Sequence, residues 1–515
     1  MLSTPEDDMT NHLFDAFRAS MPAPGRVLME TDDGRSISYG EMLARSAQFA
    51  HALVAAGVRP GDRVAVQVEK TPEALLLYLA SLRAGAVFLP LNTAYTLPEL
   101  DYFFRDAEPR LVVCDPEKAG GIEPLAASAG AATLTLGRDG QGTLTDRAQA
   151  QPTDFADVAR GPDDLAAILY TSGTTGRSKG AMLSHENLAS NARVLVEHWR
   201  FGADDVLIHA LPIFHTHGLF VATNVILMAG AKMFFEQKFD PGRVISLLPR
   251  ATTLMGVPTF YVRLLQQQGL TKEAAKQMRL FISGSAPLLA ETHNAWRERT
   301  GHAILERYGM TETNMNTSNP YDGERHAGTV GFPLPGVSLR ITDPETAEPM
   351  TQGEIGMIEV KGPNVFAGYW RMPEKTKAEF RDDGFFITGD LGRIDSDGYV
   401  HIVGRGKDLI ISGGYNVYPK EIESEIDALA GVSESAVIGV VHPDFGEGVT
   451  AVVVRKPGWA ISAADINGAI AGRLAKYKHP KQVIFVDELP RNTMGKVQKN
   501  VLRERYKDIY AGKAG

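Results

Sequence analysis

Residues 168–180 read ILYTSGTTGRSKG. An apolar run over 165–169 enters a loop of Thr171, Ser172, Gly173, Thr174, Thr175 and Gly176, closed by Lys179 and Gly180. The run has the length and character of a buried strand. Glycines let a backbone approach a ligand closely. Hydroxyls and backbone N–H groups in such a loop can wrap phosphate oxygens, and Lys179 adds positive charge. The spacing is not that of a Walker A loop, because GxxxxGK[ST] is absent. A surface turn uses the same small residues. What points beyond a turn is the grouping of hydroxyl, glycine and lysine in one loop.

Around this loop the chain alternates helical and strand patterns. Residues 37–56 carry apolar side chains at helical spacing and end near Gly57. Residues 62–68 (DRVAVQV) alternate like a strand, 71–85 are helical with Pro72 suited to the first turn, and 111–114 (LVVC) form a short buried strand. Such alternation predicts an α/β protein with mixed, mainly parallel sheets. Residues 137–162, rich in Gly, Asp, Thr and Ala, read as a surface connection. A second reorganisation falls near residue 404. Strand-like 398–404 (GYVHIVG) and 409–412 (LIIS) flank a polar connector, 405–408 (RGKD). A helix over 419–430 then places Ile422, Ile426 and Leu429 on one face. The expected organisation is a large N-terminal region up to about residue 403 and a compact α+β C-terminal domain of about 110 residues after it.

The 515 residues suggest about three or four domain-sized units. A net charge of −9 argues against nucleic acid held by bulk positive charge. The charge is uneven: 404–515 carry net +3 and the remainder −12. One cysteine, Cys114, excludes an intramolecular disulfide and a multi-cysteine zinc site. Residues 1–17 show no basic or apolar leader pattern, and no uninterrupted apolar stretch reaches the ~18 residues of a membrane span. The expectation is a cytoplasmic enzyme without nucleic-acid or membrane partners, monomeric or homodimeric.

Further motifs lie along the chain in a fixed order: SGSAP at 283–287, YGMTE at 308–312, FITGD at 386–390, GRGKD at 404–408 and PRNTMGK at 490–496. Together with 170–180 they resemble the motif set of the adenylate-forming superfamily, which includes acyl-CoA synthetases, luciferases and peptide-synthetase adenylation domains. The resemblance spans essentially the whole chain and implies a large multi-subdomain N-terminal region over 1–403, a hinge at 404–408 and a small, mobile C-terminal domain over 409–515. It implies that a carboxylate is joined first to AMP and then to a thiol, with ATP and Mg²⁺ in the first step and coenzyme A in the second.

The resemblance also implies roles. The loop from Thr171 to Lys179 holds the β- and γ-phosphates, Thr311 the α-phosphate and Glu312 the Mg²⁺. Tyr308 faces adenine beside Ser285, Ala286 and Pro287. Asp390 accepts from the ribose hydroxyls, assisted by Arg405. Lys496 reaches the α-phosphate and the carboxylate from the C-terminal domain. That domain then turns about Lys407, bringing Gly413 and Gly414 to line the pantetheine tunnel. His215 is the gate beside the acyl carboxylate. Read as a metal pair, His215 and His217 lack the three or four ligands of a zinc site.

LPIFHTHGL at 211–219, GVPTFYVR at 256–263, FISGSAP at 281–287 and ERYGMTETNMNTS at 306–318 look more narrowly like malonyl-CoA synthetases. That pattern implies malonate as the acid, with Arg263 and Ser285 on its distal carboxylate. Thr216 and Met310 bound the pocket and set tolerance for a 2-methyl group. Arg279 and Arg307 are rival cations. A lysine acetyltransferase acting on Lys496 is an implied regulatory partner. The alternatives are another short dicarboxylic or branched acid, loading of a carrier protein, and a nucleotide-binding protein without catalysis.

Overall fold

The computed structural model describes residues 11–171, 178–412, 415–471, 473–492 and 495–511. Ser172, Gly173, Thr174, Thr175 and Gly176 lie outside the described residues, as do Gly413 and Gly414.

The alternating pattern builds two large mixed sheets. In one, seven strands run in the order Gly368–Tyr369, Lys179–Ser184, Leu165–Thr171, Val87–Pro90, Arg63–Gln67, Leu111–Cys114 and Ala132–Thr135. The last five are parallel to their neighbours. Lys179–Ser184 returns antiparallel to Leu165–Thr171, with Thr171 opposite Lys179. In the nine-stranded sheet the parallel part runs Leu305–Met310, Leu280–Ser283, Thr253–Gly256, Val206–His209, Lys232–Phe235 and Val27–Thr31. Leu111–Cys114, Thr253–Gly256 and Leu280–Ser283 are buried at every residue, as strands covered on both faces must be.

Helix Pro72–Arg83 (PEALLLYLASLR) is apolar on all sides, and every residue is buried. The Thr71 side chain accepts from the Ala74 N–H, and Pro72 opens the first turn. Its two charged groups are paired. Glu73 accepts from Arg35 at 2.9 Å and Arg45 at 2.8 Å, and Arg83 donates to Asp157 at 2.5 Å. Helix Tyr39–Ala55 starts at a capping box of Ser38 and Glu41. The stretch 137–162 is not wholly a connection. It contains helix Thr143–Gln149, which buries Leu144 and Ala148 and packs on Tyr39–Ala55. Seven mostly polar residues are too few to display a helical period.

A four-stranded antiparallel sheet joins Ser338–Thr342, Gly356–Lys361, Phe386–Ile394 and Val400–Arg405. It sets Asp390 directly opposite Arg405. Beyond a short turn at Gly406–Asp408 the C-terminal unit begins. Its sheet runs Tyr415–Val417, Ile410–Ser412, Gly446–Arg455 and Val432–His442, with Gln482–Val486 parallel to Gly446–Arg455. Helix Pro419–Asp427 buries Ile422 and Ile426 against it. The fold is thus α/β over the large N-terminal part with a small α+β unit after it. Among the described residues, no helix is long and apolar enough to cross a membrane.

Glu359 anchors the four-stranded sheet. It is fully buried and accepts from Arg340 at 2.8 Å, Arg381 at 2.7 Å and Thr342 at 3.0 Å. Removing one partner from a buried ion cluster leaves uncompensated charge, at a cost of about 3–5 kcal/mol. Glu359→Ala is therefore expected to lower the thermal unfolding midpoint by several degrees. An unchanged midpoint in calorimetry would show that the cluster contributes nothing.

Candidate active site

Strand ends from both large sheets and the four-stranded sheet converge on one cleft. Leu305–Met310 carries Arg307 and Tyr308 to its rim, and the turn after it carries Thr311 and Glu312. The chain then doubles back as Asn314–Ser318, with a register shift at Tyr308/Gly309. Gly309 is obligatory there, because a Cβ would lie 1.8 Å from the Asn314 carbonyl oxygen.

The Tyr308 hydroxyl donates to Asp390 at 2.6 Å, and the Arg405 Nε lies 2.8 Å from the other Asp390 oxygen. Thr388 accepts from the Asp390 N–H at 3.0 Å. Burial, and the Asp390 charge beside it, push the Tyr308 phenol well above its ordinary range. Asp390 chiefly raises Arg405, against the effect of its burial. The carboxylate is thus held by two donors and keeps lone pairs for a further donor such as a sugar hydroxyl.

Lys179 stands 3.1 Å from Glu379 and 4.0 Å above the Tyr369 ring centroid. The Tyr369 hydroxyl lies 2.6 Å from Glu379 and 3.1 Å from Glu312. Burial pushes the Glu312 carboxyl up, while Tyr369, Arg405 and Lys179 pull it back. A buried carboxylate of this kind offers hard oxygen to a cation, as Mg²⁺ requires. Glu312 therefore fits the expected ion. Among the described residues, no group of three or more His, Cys, Asp or Glu forms a metal cluster. Glu379 and Tyr369 lie in no motif quoted above, and nothing in their sequence surroundings marks them.

Lys496 reaches the same cleft from the C-terminal unit. Its turn is closed by Asn492, which accepts from the Lys496 N–H at 2.9 Å. Arg491 donates to the Gly495 carbonyl at 2.5 Å and pairs with Glu434. A Cβ on Gly495 would come within 3.1 Å of Thr259 on helix Pro258–Leu265, so the turn is seated against the N-terminal part. Lys456 bonds Glu291 across the same boundary at 2.9 Å. Lys496 remains accessible, standing in an open cleft. Crowding by protein, then repulsion from Arg405, lower its ammonium to about 8, against the pull of Asp390. Lys407 is exposed on the turn Gly406–Asp408.

The acyl end is a knot of buried polar groups. His215 is half-buried and its Nδ1 accepts from the His217 N–H at 3.3 Å. Burial, with repulsion from Arg307 and Lys496, lowers His215 to about 4, so the ring is neutral at physiological pH. Thr216 is 2% exposed and its hydroxyl has no protein partner. Ser285 adopts φ +71°, an uncommon conformation for a residue with a side chain, and its hydroxyl lies 3.2 Å from His217 Nδ1. Ala286 is half-buried and Pro287 exposed beside it, and Met310 is half-buried at its strand end.

Arg263, one of the three candidate cations, stands at the surface. It is exposed on helix Pro258–Leu265, whose buried residues are Tyr261 and Leu264. Arg279 is neutralised by Asp205, with both contacts at 2.7 Å. Arg307 is buried and forms no ion pair among the described residues. It is 4% exposed, and its Nε and Nη2 have no protein partner. Burial lowers it to about 9. Its guanidinium packs on Gly284, where a Cβ would sit 2.3 Å from Cζ.

Comparison with known proteins agrees with this geometry. The AMP-binding enzyme family matches residues 17–370, and the AMP-binding enzyme C-terminal domain matches 421–496. The structure of ATP-bound MatB from Rhodopseudomonas palustris is 68% identical, covering 98% of this chain and 100% of that one, with a TM-score of 0.96. A feruloyl-CoA synthase of Amycolatopsis is 39% identical over 92% of this chain and 94% of its own length. A malonate–CoA ligase of Arabidopsis thaliana is 33% identical over 96% of this chain and 90% of its own. The chain belongs to the AMP-binding enzyme family, the adenylate-forming group whose ordered motifs it carries.

Proposed function

We infer that this protein is a malonate–CoA ligase: malonate, ATP and CoA give malonyl-CoA, AMP and pyrophosphate through a malonyl-adenylate. The observation that carries the reading is Arg307. An aryl or fatty acid wants an apolar tunnel end, whereas Arg307 is a buried guanidinium without a carboxylate. Such a charge costs several kcal/mol unless an anion joins it. A second carboxylate on the substrate supplies that anion, and a guanidinium can hold it bidentately. This favours malonate over the acid named for the feruloyl relative. The 68% identity to MatB points the same way.

In the first half-reaction a malonate carboxylate oxygen attacks the α-phosphorus of ATP, and pyrophosphate leaves. Both reactants are anions, so catalysis is chiefly positioning and charge neutralisation. We assign Lys179, with the loop from Thr171, to the outer phosphates, which would replace Glu379 as its partner. Thr311 and Lys496 take the α-phosphate, and Lys496 also takes the reacting carboxylate. Asp390 and Arg405 hold the ribose, and Tyr308 with Ser285, Ala286 and Pro287 flanks adenine. Glu312 would hold Mg²⁺, which neutralises phosphate charge. His215 stays neutral and bounds the reacting carboxylate. Arg307, in place of Arg263, anchors the distal one, and Thr216 and Met310 flank C2.

In the second half-reaction the CoA thiol attacks the acyl carbonyl and AMP leaves. Lys496 occupies the path that pantetheine needs, so we place a rotation of the C-terminal domain at Lys407 within 404–408. A few residues suffice for such a hinge. That turn would bring Gly413 and Gly414 to the tunnel. Acetylation of Lys496 by a lysine acetyltransferase would remove the adenylating charge.

Purified enzyme with malonate, ATP, Mg²⁺ and CoA is expected to release AMP. ADP release, or stronger turnover of ferulate, would refute the assignment. Arg307→Leu is expected to lower malonate kcat/KM by about 10²-fold or more, because an anion is left unpaired. The same variant should keep or raise the thermal midpoint without ligand, since it removes an unpaired buried charge. A malonate kcat/KM within a few-fold of wild type would exclude Arg307 as the anchor. Lys496→Ala should abolish malonate-dependent pyrophosphate exchange while thioester formation from supplied malonyl-adenylate survives. Equal loss in both halves would refute the two-arrangement mechanism. The wild-type kcat/KM for exchange, which reports the free enzyme, should fall as pH rises through about 8, where Lys496 without substrate loses its proton. A flat profile from pH 7 to 9 would contradict that role.

A further inference from the structure

Beside Arg307 stands a second group with an unused polar atom. His217 is 1% exposed, and its Nε2 has no protein partner. Its Nδ1 lies 3.2 Å from the Ser285 hydroxyl. The ring cannot readily carry two protons. Burial, then Arg307, His215 and His209, all disfavour imidazolium. One ring N–H remains to be placed. If Nδ1 carried it, Ser285 would accept, and Nε2 would present a lone pair near a guanidinium that it does not bond. If Ser285 donates to Nδ1, the proton sits on Nε2 and the orphan atom becomes a donor. Only this second arrangement has something to offer an anion.

The ring is also fixed from behind. His217 opens the π-helical stretch His217–Thr223. His209 Nε2 donates to the Gly218 carbonyl at 2.9 Å, and Lys70 donates to His209 Nδ1 at 3.0 Å. Both Lys70 and His209 are buried. The first turn of the stretch therefore hangs on a buried Lys–His pair. A single π turn inside a helix is a frequent mark of a functional position.

We propose that His217, as a neutral imidazole with its proton on Nε2, donates a hydrogen bond to the distal carboxylate of the substrate beside Arg307. Ser285 then orients the ring and does not itself hold that carboxylate. The inference rests on the dicarboxylate reading of the site. It assigns the distal anion one cationic and one neutral donor, so the pocket selects an anion without adding a second buried charge.

The test is the malonate-to-propionate ratio of kcat/KM in pyrophosphate exchange, since propionate lacks only the distal carboxylate. His217→Leu is expected to lower this ratio at least tenfold. His217→Gln, whose amide N–H lies near the position of Nε2, should restore it to within about threefold of wild type. In a Ser285→Ala background His217→Leu should still lower the ratio several-fold. A ratio within twofold of wild type in His217→Leu would overturn the proposal. So would loss of any further effect in the Ser285→Ala background, because His217 would then act only through Ser285. If His217→Leu fails to fold, His217→Gln and His217→Asn decide. Asn places its amide near Nδ1, so equal ratios in the two would refute a donor at Nε2. Wild-type enzyme with no malonate-dependent exchange would overturn the dicarboxylate reading itself, an outcome distinct from a wild-type ratio that the variants leave unchanged.

Discussion

A guanidinium removed from water without a counter-charge is among the least comfortable groups a fold can bury. Arg307 is such a group, and much of the acyl pocket follows from it. Gly284 leaves room for its planar head. Ser285 turns into a left-handed conformation immediately afterwards. His215 and His217 are kept neutral by burial together with its field. Both histidines are thus pushed away from positive charge, and no carboxylate among the described residues pairs with the guanidinium. The pocket is therefore complete only when an anionic substrate enters. Folding stability has been exchanged for recognition, as expected where local rules of packing are broken at a functional site.

The nucleotide half of the cleft solves the opposite problem. Its carboxylates are buried, and each is held by donors drawn from other parts of the chain. Asp390 meets Tyr308 and Arg405, while Glu312 and Glu379 share the Tyr369 hydroxyl with Lys179 nearby. These contacts join both large sheets to the four-stranded sheet. The same bonds that hold the sheets in register thus hold the groups assigned to ribose, phosphate and metal. Lys179 already has an anionic partner in Glu379, so on the proposed assignment phosphate binding is an exchange of partners. A lysine held in place in this way need not be ordered anew when ATP arrives.

How much of this was legible in the sequence depends on how local each feature is. The α/β alternation, the helix at 71–85 and the helix opening at Pro419 are written in spacing and capping, and the structure places them with small shifts at their ends. The residues we assign to the nucleotide were candidates from the sequence because they fall in contiguous motifs at strand ends. The anchor was not. Arg263 stands in an apolar run and Arg307 in a polar one, yet Arg263 is exposed and Arg307 buried. Burial of a cation is decided by which strands lie side by side, here Leu305–Met310 against Leu280–Ser283. Tyr369 and Glu379 were invisible for the same reason. They meet Glu312 and Lys179 only through tertiary contact. His217 was visible as half of a His-x-His pair, which was too small for a metal site, and spacing says nothing of which ring atom the fold leaves unpartnered.

Charge also explains why one cleft needs two arrangements of the C-terminal unit. The net positive charge of 404–515 is carried to a negatively charged N-terminal part, yet its most forward lysine meets Arg405 and Lys407 at the cleft. Without substrate, crowding by protein and then repulsion from Arg405 and Lys407 outweigh the pull of Asp390 and Asp408, and the Lys496 ammonium is weakened. With ATP and malonate present the same position gains several anionic neighbours. Once pyrophosphate departs, most of that negative charge is gone while the repulsion from Arg405 remains. Departure of pyrophosphate thus removes the force that holds Lys496 forward. The contacts left at the boundary, such as Lys456 with Glu291, are exposed pairs worth at most about 1 kcal/mol each. On the proposed mechanism the forward arrangement is stabilised mainly by the reactants it serves, so completing the first half-reaction would itself free the domain for the second.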